Sequence, residues 1–427
     1  MNDRSADRVA TVIGVDIGTS GVRAAAIDDN RDVVAISSAP FQDAASFRSP
    51  AAWWENTEQA LRSLATAADL TNVRGIAVDG TSGTVLGVDD ELKPIGRPLM
   101  YNDTCPDPAI IARIEKTAPA DSAARGSGSA LARGIYLARH ANVTRILHQA
   151  DWILGKLGLQ EICSDENNSL KTGYDLEHEA WPAWIEEAGL DLRLLPRVVR
   201  AGASLARVDG FAHGLGLAPD CHFHAGTTDG CASFIATGAS EIGDAVTALG
   251  STMVLKLASG RPVNAPQYGV YSHRVLDFWL PGGASNTGGA VIKSLFGDER
   301  LSELTAQIDP SRPTGLNYYP LNKAGERFPV SDPLYPPRLE PRPANEATFF
   351  QAVLEGIMEI ERMGYERLVR LGSAPLKTVR TVGGGAKNTV WASMRERTLG
   401  VPFAQPASVE AAVGTAALVL QWEKRKP

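Results

Sequence analysis

Short apolar runs broken by small polar residues organise this chain. In residues 11–28 two such runs flank a turn of Gly, Thr and Ser, a pattern that predicts a β-hairpin. Residues 75–89 repeat the pattern and are predicted as a second hairpin, and residues 244–257 as a third. The first and third lie far apart, which indicates one supersecondary unit used once in each of two domains rather than a short-period repeat.

Three helices are predicted, the first two from apolar positions at helical spacing and the third from its cap and the acid in its first turn. The first covers residues 53–67, the second residues 347–371 with Gly372 as its stop, and the third residues 410–422 with Ser408 as its cap. The apolar positions expected to face the core are Trp54, Leu61, Leu64 and Ala65 in the first helix and Phe350, Val353, Leu354 and Ile357 in the second.

The C-terminal part alternates strand and helix. Residues 376–382 are predicted as a strand that leads into a glycine-rich loop and another helix, whereas residues 301–342, dense in Pro and polar residues, are predicted to leave the core. Together with the hairpins, this alternation predicts the α/β class. A chain of 427 residues is too long for one core of ~250–300 residues, so we expect domains at 1–224 and 225–427.

Composition narrows the possible functions. The chain is 44% hydrophobic and 21% charged, with a net charge of -7, which is typical of soluble globular proteins and provides no basic stripe for nucleic acid. This charge also argues against capture of a polyanion by bulk electrostatics. No apolar run approaches the ~20 residues of a membrane span, and the first ten residues lack the apolar core of a signal peptide.

Cysteine and histidine give little evidence of metal binding. The four cysteines form no C-x-x-C pair, so neither a structural zinc site nor a disulfide framework is expected. We expect a reducing, cytoplasmic location instead. His222 and His224 are two residues apart on one predicted strand, so their side chains would share a face of it. Ordinary packing is favoured over a metal site there because no third ligand lies nearby.

The turn of the first hairpin is a candidate phosphate and metal site. Asp16 directly follows an apolar strand, and Gly18 and Gly21 allow a tight turn. Thr19, Ser20 and the loop N–H groups can donate to phosphate oxygens, while Asp16 can hold a hydrated divalent cation. The alternative is an ordinary turn in which Asp16 bonds its own backbone.

The third hairpin carries the same kind of donors in the other half of the chain. Its turn contains Gly250, Ser251 and Thr252, and alone it could be an ordinary tight turn. Two such turns in opposing domains favour phosphate binding over two ordinary tight turns, because together they could hold a triphosphate from both sides.

Asp229 is the candidate catalytic base. It lies in the sequence Thr-Thr-Asp-Gly at residues 227–230, near the predicted domain boundary. Phosphoryl transfer to an alcohol needs a carboxylate that orients the hydroxyl and accepts its proton. The alternative is a helix N-cap before residues 231–237, a role compatible with the first.

A third glycine-rich segment is a candidate nucleoside site. In residues 383–388 consecutive glycines leave room for a flat ring, and Asn388 and Trp391 would share one face of the next helix. The alternative is a flexible loop next to a core tryptophan. Residues 282–289 form a further, less specific glycine-rich turn.

Several motifs of other enzyme classes are missing. The sequence contains no G-x-x-x-x-G-K-[ST], no dinucleotide fingerprint with its ribose-binding acid, no H-R-D or D-F-G pair and no G-x-S-x-G elbow.

The order of the remaining motifs resembles the FGGY carbohydrate kinases of the actin/hexokinase/Hsp70-like ATPase superfamily. These motifs are Asp-Ile-Gly-Thr-Ser at residues 16–20, Thr-Thr-Asp-Gly at 227–230, Leu-Gly-Ser-Thr at 249–252 and Gly-Gly-Gly-Ala-Lys-Asn at 383–388. The resemblance covers nearly the whole chain. Within the family the chain looks closest to a short pentulose-kinase branch of cyanobacterial and plant type, associated with D-ribulose and often labelled xylulose kinases. The segments that resemble this branch are residues 79–84, 101–102, 282–286 and 325–329.

The resemblance implies two ribonuclease-H-like (actin-like ATPase) domains with a catalytic cleft between them, the N-terminal one binding sugar and the C-terminal one nucleotide. It implies ATP and Mg²⁺ as cofactors and phosphorylation of the terminal primary hydroxyl of a pentulose, foremost D-ribulose to D-ribulose 5-phosphate. The partners would be the sugar and ATP, in a monomer or homodimer. The alternatives are a D-xylulose, sedoheptulose or glycerol kinase, or a non-catalytic actin-like ATPase or sugar sensor.

The resemblance also implies roles for single residues. Asp16 and Asp229 would be catalytic and would hold the metal, with Asp229 as the base. The phosphates would lie against Thr19, Ser20, Gly250, Ser251 and Thr252. The nucleoside would lie against Gly384, Gly385, Asn388 and Trp391. The sugar would be contacted by Asp16, Ser20, Ser82 and Asp229.

One departure from the family pattern affects the sugar site. Many members carry Trp-x-Asp-x-Arg there, whereas residues 101–105 of this chain are Tyr-Asn-Asp-Thr-Cys, without the arginine. The family's sugar-site pattern therefore does not carry over to residues 101–105.

Overall fold

The structure is a computed structural model that describes residues 9–43, 45–126 and 128–425. The expected absence of a signal peptide concerns residues that lie almost entirely outside these ranges. The described residues form two compact units. The first unit comprises those up to Ala236, His273–Leu276 and those from Glu410 onward, and the second comprises Thr237–Ser272 and Asp277–Val409. The predicted boundary between residues 224 and 225 stays a prediction.

The described part of the chain contains strands and helices in mixed order. The strands are β1 (Val12–Ile17), β2 (Gly21–Ile27), β3 (Val33–Pro40), β4 (Gly75–Gly80), β5 (Val85–Val88), β6 (Pro94–Leu99), β7 (Arg145–His148), β8 (Cys163–Asp165), β9 (Arg197–Val199), β10 (Ser204–Arg207), β11 (His222–His224), β12 (Asp244–Leu249), β13 (Met253–Leu257), β14 (Tyr271–Val275), β15 (Phe278–Ser285) and β16 (Thr378–Val382). The helices are α1 (Pro50–Ala67), α2 (Pro108–Thr117), α3 (Ala130–Leu137), α4 (Gln149–Leu157), α5 (Glu166–Ser169), α6 (Trp184–Ala188), α7 (Gly210–His213), α8 (Asp229–Ala236), α9 (Gly289–Phe296), α10 (Leu301–Gln307), α11 (Glu346–Arg370), α12 (Thr389–Leu399) and α13 (Ala411–Glu423).

The main sheet of the first unit has the order β10–β11–β4–β1–β2–β3. Strands β1 and β2 pair antiparallel, which confirms the first predicted hairpin. On its other side β1 pairs parallel with β4, and β4 pairs parallel with β11. Three adjacent strands therefore run in one direction, and the loops that follow them leave from the same edge of the sheet.

The last helix of the chain covers this sheet. Helix α13 is buried from Ala411 to Leu420, and its backbone approaches β1 so closely that a Cβ on Gly14 would lie 2.1 Å from the carbonyl oxygen of Ala412. A Cβ on Gly414 would lie 1.9 Å from the carbonyl oxygen of Ala232 in α8. Glycine is needed at both positions because only backbone atoms stand in the way.

The predicted second hairpin is wrong. Strand β4 belongs to the six-stranded sheet, whereas β5 pairs antiparallel with β6 and β7 in a separate sheet. The chain turns away after β4 because the side chains of Thr81 and Thr84 bond each other at 2.6 Å and Gln149 Oε1 accepts from the Thr81 N–H at 3.1 Å. Gly83 completes the turn with a φ of +91°.

The second unit is built on the same principle. Its sheet contains the order β15–β13–β12–β16, in which β12 and β13 pair antiparallel and β12 and β16 pair parallel. The third predicted hairpin is therefore confirmed. The predicted long helix is α11, in which Phe350, Val353, Leu354 and Ile357 are all buried and which Gly372 follows with a φ of +110°.

Two helix predictions need correction. Helix α1 begins at Pro50 behind the N-cap Ser49, and its buried tryptophan is Trp53, while Trp54 is only partly buried. The N-cap of α13 is Glu410 rather than Ser408, because the helix begins at Ala411 and not at residue 410.

The prediction that residues 301–342 leave the core is also wrong in part. The segment is mostly irregular after α10, as its prolines indicate, but Tyr318, Tyr319, Leu321 and Phe328 are buried in the hydrophobic core of the second unit. The sparse apolar residues of a polar segment can still be the ones that anchor it. The predicted α/β class is confirmed, and among the described helices none is both long and apolar enough to cross a bilayer.

Candidate functional site

Three aspartates gather where the parallel strands of the first unit end. Asp16 lies near the end of β1 and is opposite Asp79 of β4 in the parallel register. Asp229 follows β11 and is the first residue of α8, and its neighbour Thr228 forms a parallel bridge with Gly80. The sheet therefore presents three carboxyl groups at one edge.

The turn before Asp229 is held on both sides. Gly226 lies so close to β4 that a Cβ would be 1.7 Å from the carbonyl oxygen of Val78. Asn167 Nδ2 donates to Thr227 Oγ1 at 3.0 Å, and Asn168 Nδ2 donates to the Thr227 carbonyl at 3.1 Å. These contacts fix where α8, and with it Asp229, begins.

The capping role weighed for Asp229 falls largely to its neighbour. The carbonyl oxygen of Thr228 accepts from the N–H groups of Cys231 and Ala232 at 2.9 Å each, and its side-chain oxygen lies 3.3 Å from the Cys231 nitrogen. Asp229 Oδ1 accepts from the N–H of Gly230 at 2.7 Å, and the residue is only half-buried. Its carboxylate is therefore oriented by local backbone without being enclosed.

The electrostatics of Asp16 are those of a buried charge among like charges. Burial raises the pKa of Asp16 from 3.8 to about 6, and the negative charge of Asp229 adds to the rise. Arg23, whose Nη1 is 3.5 Å from Asp16 Oδ2, opposes it, and Arg23 Nε also lies 3.4 Å from Glu410 Oε2. A single, partly exposed arginine does not neutralise this group of carboxylates.

Asp79 is a site residue that the sequence analysis missed. It is fully buried, and burial followed by the charge of Asp16 raises its pKa well above the usual range. Thr415 of α13 donates a hydrogen bond to Asp79 Oδ2. A usable signal existed, since Val-Asp shortly before Gly-Thr-Ser occurs in both residues 15–20 and residues 78–82.

The predicted phosphate ligands of the first unit, Thr19 and Ser20, occupy the turn between β1 and β2 and are exposed. The turn is closed by a hydrogen bond from the N–H of Gly18 to the carbonyl of Gly21 at 3.1 Å. Gly21 has a φ of +152°, and a Cβ there would lie 2.5 Å from the Ala39 carbonyl oxygen. The geometry leaves both hydroxyl side chains on the open side of a tight turn.

The predicted sugar ligand Ser82 lies in the loop after β4. Its Oγ is buried and has no hydrogen-bond partner among the described residues. A buried hydroxyl without a partner is costly, typically by ~1–3 kcal/mol, unless a bound molecule supplies one.

Arg133 holds the Ser82 loop and was also missed. Its guanidinium is fully buried and donates to the carbonyl oxygens of Gly83, Asp103 and Gly128 at 2.7–3.2 Å. Burial lowers the pKa of Arg133 to about 10. Although residues 101–105 lack their own arginine, an arginine from α3 therefore ties that segment to the Ser82 loop.

The other predicted nucleotide residues lie in the second unit. Gly250, Ser251 and Thr252 form the turn between β12 and β13, with the first two exposed. Gly383, with a φ of +88°, lies against this turn, since a Cβ there would be 2.6 Å from the Leu249 carbonyl oxygen. The two glycine-rich turns at residues 250–252 and 383–385 therefore adjoin.

Asn388 and Trp391 differ in exposure. Asn388 is the N-cap of α12, where its Oδ1 accepts from the Trp391 N–H at 2.9 Å, and its Nδ2 donates to Thr305 at 3.0 Å. The Trp391 ring is 2% exposed and its Nε1 donates to the Leu354 carbonyl at 3.2 Å, so it occupies the core position weighed as the alternative. Gly384 is open, with nothing within 4 Å of a Cβ built there.

The predicted site residues thus fall into two groups. The first unit contains Asp16, Thr19, Ser20, Ser82 and Asp229, and the second contains Gly250, Ser251, Thr252, Gly384, Gly385, Asn388 and Trp391. No cluster of three or more His, Cys, Asp or Glu in the described part of the chain is arranged to hold a metal by itself. His224 packs inside the first unit, with its Nδ1 2.9 Å from the Gly202 carbonyl oxygen.

Comparison with known proteins gives consistent results. The N-terminal domain model of the FGGY family of carbohydrate kinases matches residues 11–129, and the C-terminal domain model matches residues 245–420. The chain is 26% identical to a xylulose kinase of Streptomyces coelicolor over 431 residues, covering 95% of this chain and 86% of that protein. It is 22% identical to a xylulose kinase of Escherichia coli over 425 residues, covering 90% and 83%.

Solved structures show the same fold. A xylulose kinase from Rhodospirillum rubrum superposes with a TM-score of 0.81 at 23% identity, covering 95% of this chain and 88% of that one. This likeness confirms the expected actin-like ATPase fold. Since the two family models together match more than half of its residues, the chain belongs to the FGGY family of carbohydrate kinases, which are ATP-dependent sugar phosphotransferases.

Proposed function

We propose that the protein phosphorylates the terminal primary hydroxyl of a pentulose with ATP. The observation that carries this proposal is the set of three aspartates, Asp16, Asp79 and Asp229, at adjoining strand ends of the first unit. Phosphoryl transfer to an alcohol needs an anionic base beside a region that can hold phosphate and metal. The three carboxyl groups differ in burial, so they can serve different roles.

Asp229 is the proposed base. It is half-buried, whereas Asp79 is fully buried and Asp16 is 5% exposed, so Asp229 is the carboxylate best able to meet a substrate hydroxyl. Its place at the first residue of α8 favours a negative charge. Its carboxylate would orient the sugar hydroxyl, accept its proton and leave the oxygen free to attack the terminal phosphorus of ATP.

Mg²⁺ fits the carboxylates of the first unit. Magnesium is usually bound by one or two carboxylates together with substrate phosphates. Asp16 and Asp229 would hold it, and a cation would offset the burial and the nearby charge of Asp229 that raise the pKa of Asp16. When bound, the ion would neutralise charge that develops on the phosphate oxygens.

Phosphate and nucleoside ligands are proposed from the turns of both units. Thr19 and Ser20 in the first unit, and Gly250, Ser251 and Thr252 in the second, offer hydroxyl and N–H donors in tight turns. The flat ring of the nucleoside would lie on the open face of Gly384 and Gly385, beside Asn388. The buried Trp391 would support this loop by packing against Gly385, where a Cβ would be 3.1 Å from the Trp391 ring.

The sugar is proposed from two lines of evidence that point to different pentuloses. The loop at residues 79–84, with the unpartnered Ser82 hydroxyl, resembles the branch associated with D-ribulose, which makes D-ribulose the first candidate. The relatives named above are xylulose kinases, which makes D-xylulose the second. Ser82 together with Asp16, Ser20 and Asp229 would contact either sugar.

The test is ADP release measured over a panel of ketoses and polyols. We expect D-ribulose or D-xylulose to raise ADP release well above the sugar-free blank, and Asp229→Asn to lower kcat by ~10²–10⁴-fold while KM for ATP changes little. Asp220→Asn is the matched control, because Asp220 is an exposed carboxylate that precedes the same strand β11. If no sugar stimulates ADP release, the kinase proposal fails. If Asp229→Asn retains full rate, the base is another residue.

Other expectations stay proposals. We propose a cytoplasmic protein on the basis of its ATP requirement and its four free, buried cysteines. We also keep the assignment of sugar to the first unit and nucleotide to the second, and a monomer or homodimer as the assembly. Gel filtration of the purified protein tests the last point.

A further inference from the structure

Two segments that the proposed function leaves unused meet in the second unit. They are the glycine-rich turn at residues 282–289 and the segment Gly-Glu-Arg-Phe-Pro at residues 325–329. Their meeting point is Glu326, which is only 2% exposed. A carboxylate this deeply buried needs several donors to remain stable, so its partners show what it holds in place.

The Glu326 carboxylate gathers donors from both segments. Its Oε2 accepts from Ser285 Oγ at 2.6 Å and from the Tyr319 hydroxyl at 3.0 Å. Its Oε1 accepts from the N–H of Asn286 at 2.8 Å and from that of Arg327 at 3.0 Å. One side chain therefore holds the start of the turn at residues 285–288 in a single conformation.

A second bond extends this hold along the turn. Ser285 Oγ, which donates to Glu326, also accepts from the N–H of Thr287 at 3.1 Å. The hydroxyl of Ser285 thus relays the position of the carboxylate to the backbone of Thr287.

The far side of this turn is bonded to the proposed phosphate turn. The N–H of Met253 donates to the Thr287 carbonyl at 2.8 Å, and the N–H of Gly289 donates to the Gly250 carbonyl at 2.8 Å. The N–H of Ala290 donates to the Ser251 carbonyl at 3.0 Å. The backbone of residues 250–253 is therefore tied at three points to the turn that Glu326 holds.

Close packing makes this connection rigid. Gly288 has a φ of +144°, and a Cβ there would lie 2.8 Å from the backbone of Thr252. The two turns meet backbone to backbone at this point, so we expect a shift of one to move the other. A displacement of the carboxylate's donors is therefore transmitted to Ser251 and Thr252.

We propose that Glu326 is a positioning residue for nucleotide phosphates, acting through Ser285 and the turn at residues 285–289 on the turn at residues 250–252. The inference rests on the proposed function only in taking residues 250–252 as phosphate ligands. Glu326 does not touch the nucleotide itself. Its removal should weaken nucleotide binding while sparing the sugar, because its contacts lie wholly within the second unit.

The experiment compares Glu326→Ala and Glu326→Gln with the wild-type protein by calorimetric titration with Mg·ADP. Alanine leaves the four donors unpaired, and we expect binding of Mg·ADP to weaken by ~10-fold or more, a loss of ~1.4 kcal/mol. Glutamine keeps one oxygen for the backbone N–H groups and can donate to the two hydroxyls, so it should recover most of the loss. In turnover, KM for ATP should rise in parallel while KM for the sugar stays within ~2-fold.

Glu355→Ala is the matched control. The Glu355 carboxylate also accepts from a backbone N–H of the irregular segment, that of Thr314 at 3.1 Å, and from Gln351 Nε2 at 2.9 Å. In the described part of the chain the Glu355 carboxylate forms no hydrogen bond with either glycine-rich turn. Its loss should therefore lower stability but leave Mg·ADP binding unchanged. Should Glu326→Ala fail to fold, Ser285→Ala and Glu326→Gln carry the comparison.

Unchanged Mg·ADP affinity in Glu326→Ala would overturn the inference. Equal weakening in the Glu326→Ala and Glu355→Ala proteins would also overturn it, because the effect would then be one of general stability. The proposed function fails separately, through a lack of sugar-stimulated ADP release by the wild-type protein. Selective loss of Mg·ADP binding in Glu326→Ala would stand even in that case.

Discussion

The buried carboxyl group of Asp16 makes the stability of the folded protein depend on pH. It is buried next to Asp79 and within electrostatic range of Asp229, and burial holds its pKa near 6 rather than 3.8. The folded state therefore binds a proton at Asp16 more tightly than the unfolded state does. Its contribution to stability is complete below the unfolded pKa and is lost as the pH rises through 6.

The loss of stability with rising pH gives a testable prediction for Asp16→Asn. At pH 7.5 the variant should be more stable than wild type, with a gain in unfolding free energy on the order of 2–3 kcal/mol for a pKa rise of ~2 units. The gain should shrink as the pH falls through 6 towards 4. The measurement is the melting temperature of both proteins across this range, without ATP or Mg²⁺.

Asp69→Asn is the control for that series. Asp69 is exposed, and hydrogen bonds from Thr71 lower its pKa, so its replacement should bring no gain at pH 7.5. A stabilised Asp16→Asn protein should at the same time lose sugar-dependent ADP release. Equal melting temperatures of wild type and Asp16→Asn at pH 7.5 would show that Asp16 carries no such strain.

The sequence permitted some residue assignments and not others. Asp16 could be placed at a strand end because an apolar run directly precedes it. Asp229 could be placed near one because an apolar run ends a few residues before it. Asp79 could not be paired with Asp16 because strand register depends on which strands become neighbours. Arg133 and Glu326 were out of reach for the same reason, since their partners lie far away in the sequence.

Among the elements, the correct and wrong predictions have one physical cause. The hairpins β1–β2 and β12–β13 were predictable because each pairing is local and needs only a turn. The strands β4 and β5 have the same local pattern but pair with distant strands, which no local pattern reveals. Trp53, rather than Trp54, faces the core because it lies on the same face of α1 as the buried Thr57 and Leu64. The pair Ser49-Pro50 signals the true start of this helix.

The crossing of α13 and β1 gives an element-scale prediction. Gly14→Ala places a methyl group against the backbone of Ala412 and Ala416, which cannot move as a side chain would. We expect a loss of ~1–3 kcal/mol in unfolding free energy, and with it a loss of activity, because Thr415 is displaced from Asp79. Gly128→Ala should be neutral in the same denaturation assay, since a Cβ at Gly128 meets nothing within 4 Å.

The loop between β16 and α12 gives a second prediction. Gly384→Val adds a side chain to an open surface, so the melting temperature should not change. If the nucleoside ring lies on that surface, KM for ATP should rise by ~10-fold, equivalent to ~1.4 kcal/mol, while KM for the sugar stays constant. Gly128→Val serves as the comparison at another open glycine. An unaltered KM for ATP would place the nucleoside elsewhere.

At the scale of the whole molecule, the first unit is built from stretches that are far apart in the sequence. The chain builds most of the first unit, then the second, and returns with α13 to finish the first. The last helix is not an appendage, because it is buried along most of its length and carries Thr415 to the site.

Truncation after Val409 tests this dependence. The shortened chain loses the helix that covers β1 and α8, so we expect the first unit to unfold and sugar-dependent ADP release to disappear. Co-expression of residues 410–427 as a separate peptide should restore part of the soluble, active protein. Full activity of the truncated chain without the peptide would contradict the role given to α13.

The late position of α13 has a consequence for the protein's synthesis. The residues that line the carboxylate edge are made before the second unit, but the helix that covers their sheet is made after it. During translation the second unit can complete its fold before α13 is made, and until then the apolar face of β1 and β4 stays uncovered. We therefore expect the first unit to complete its fold only after α13 has left the ribosome.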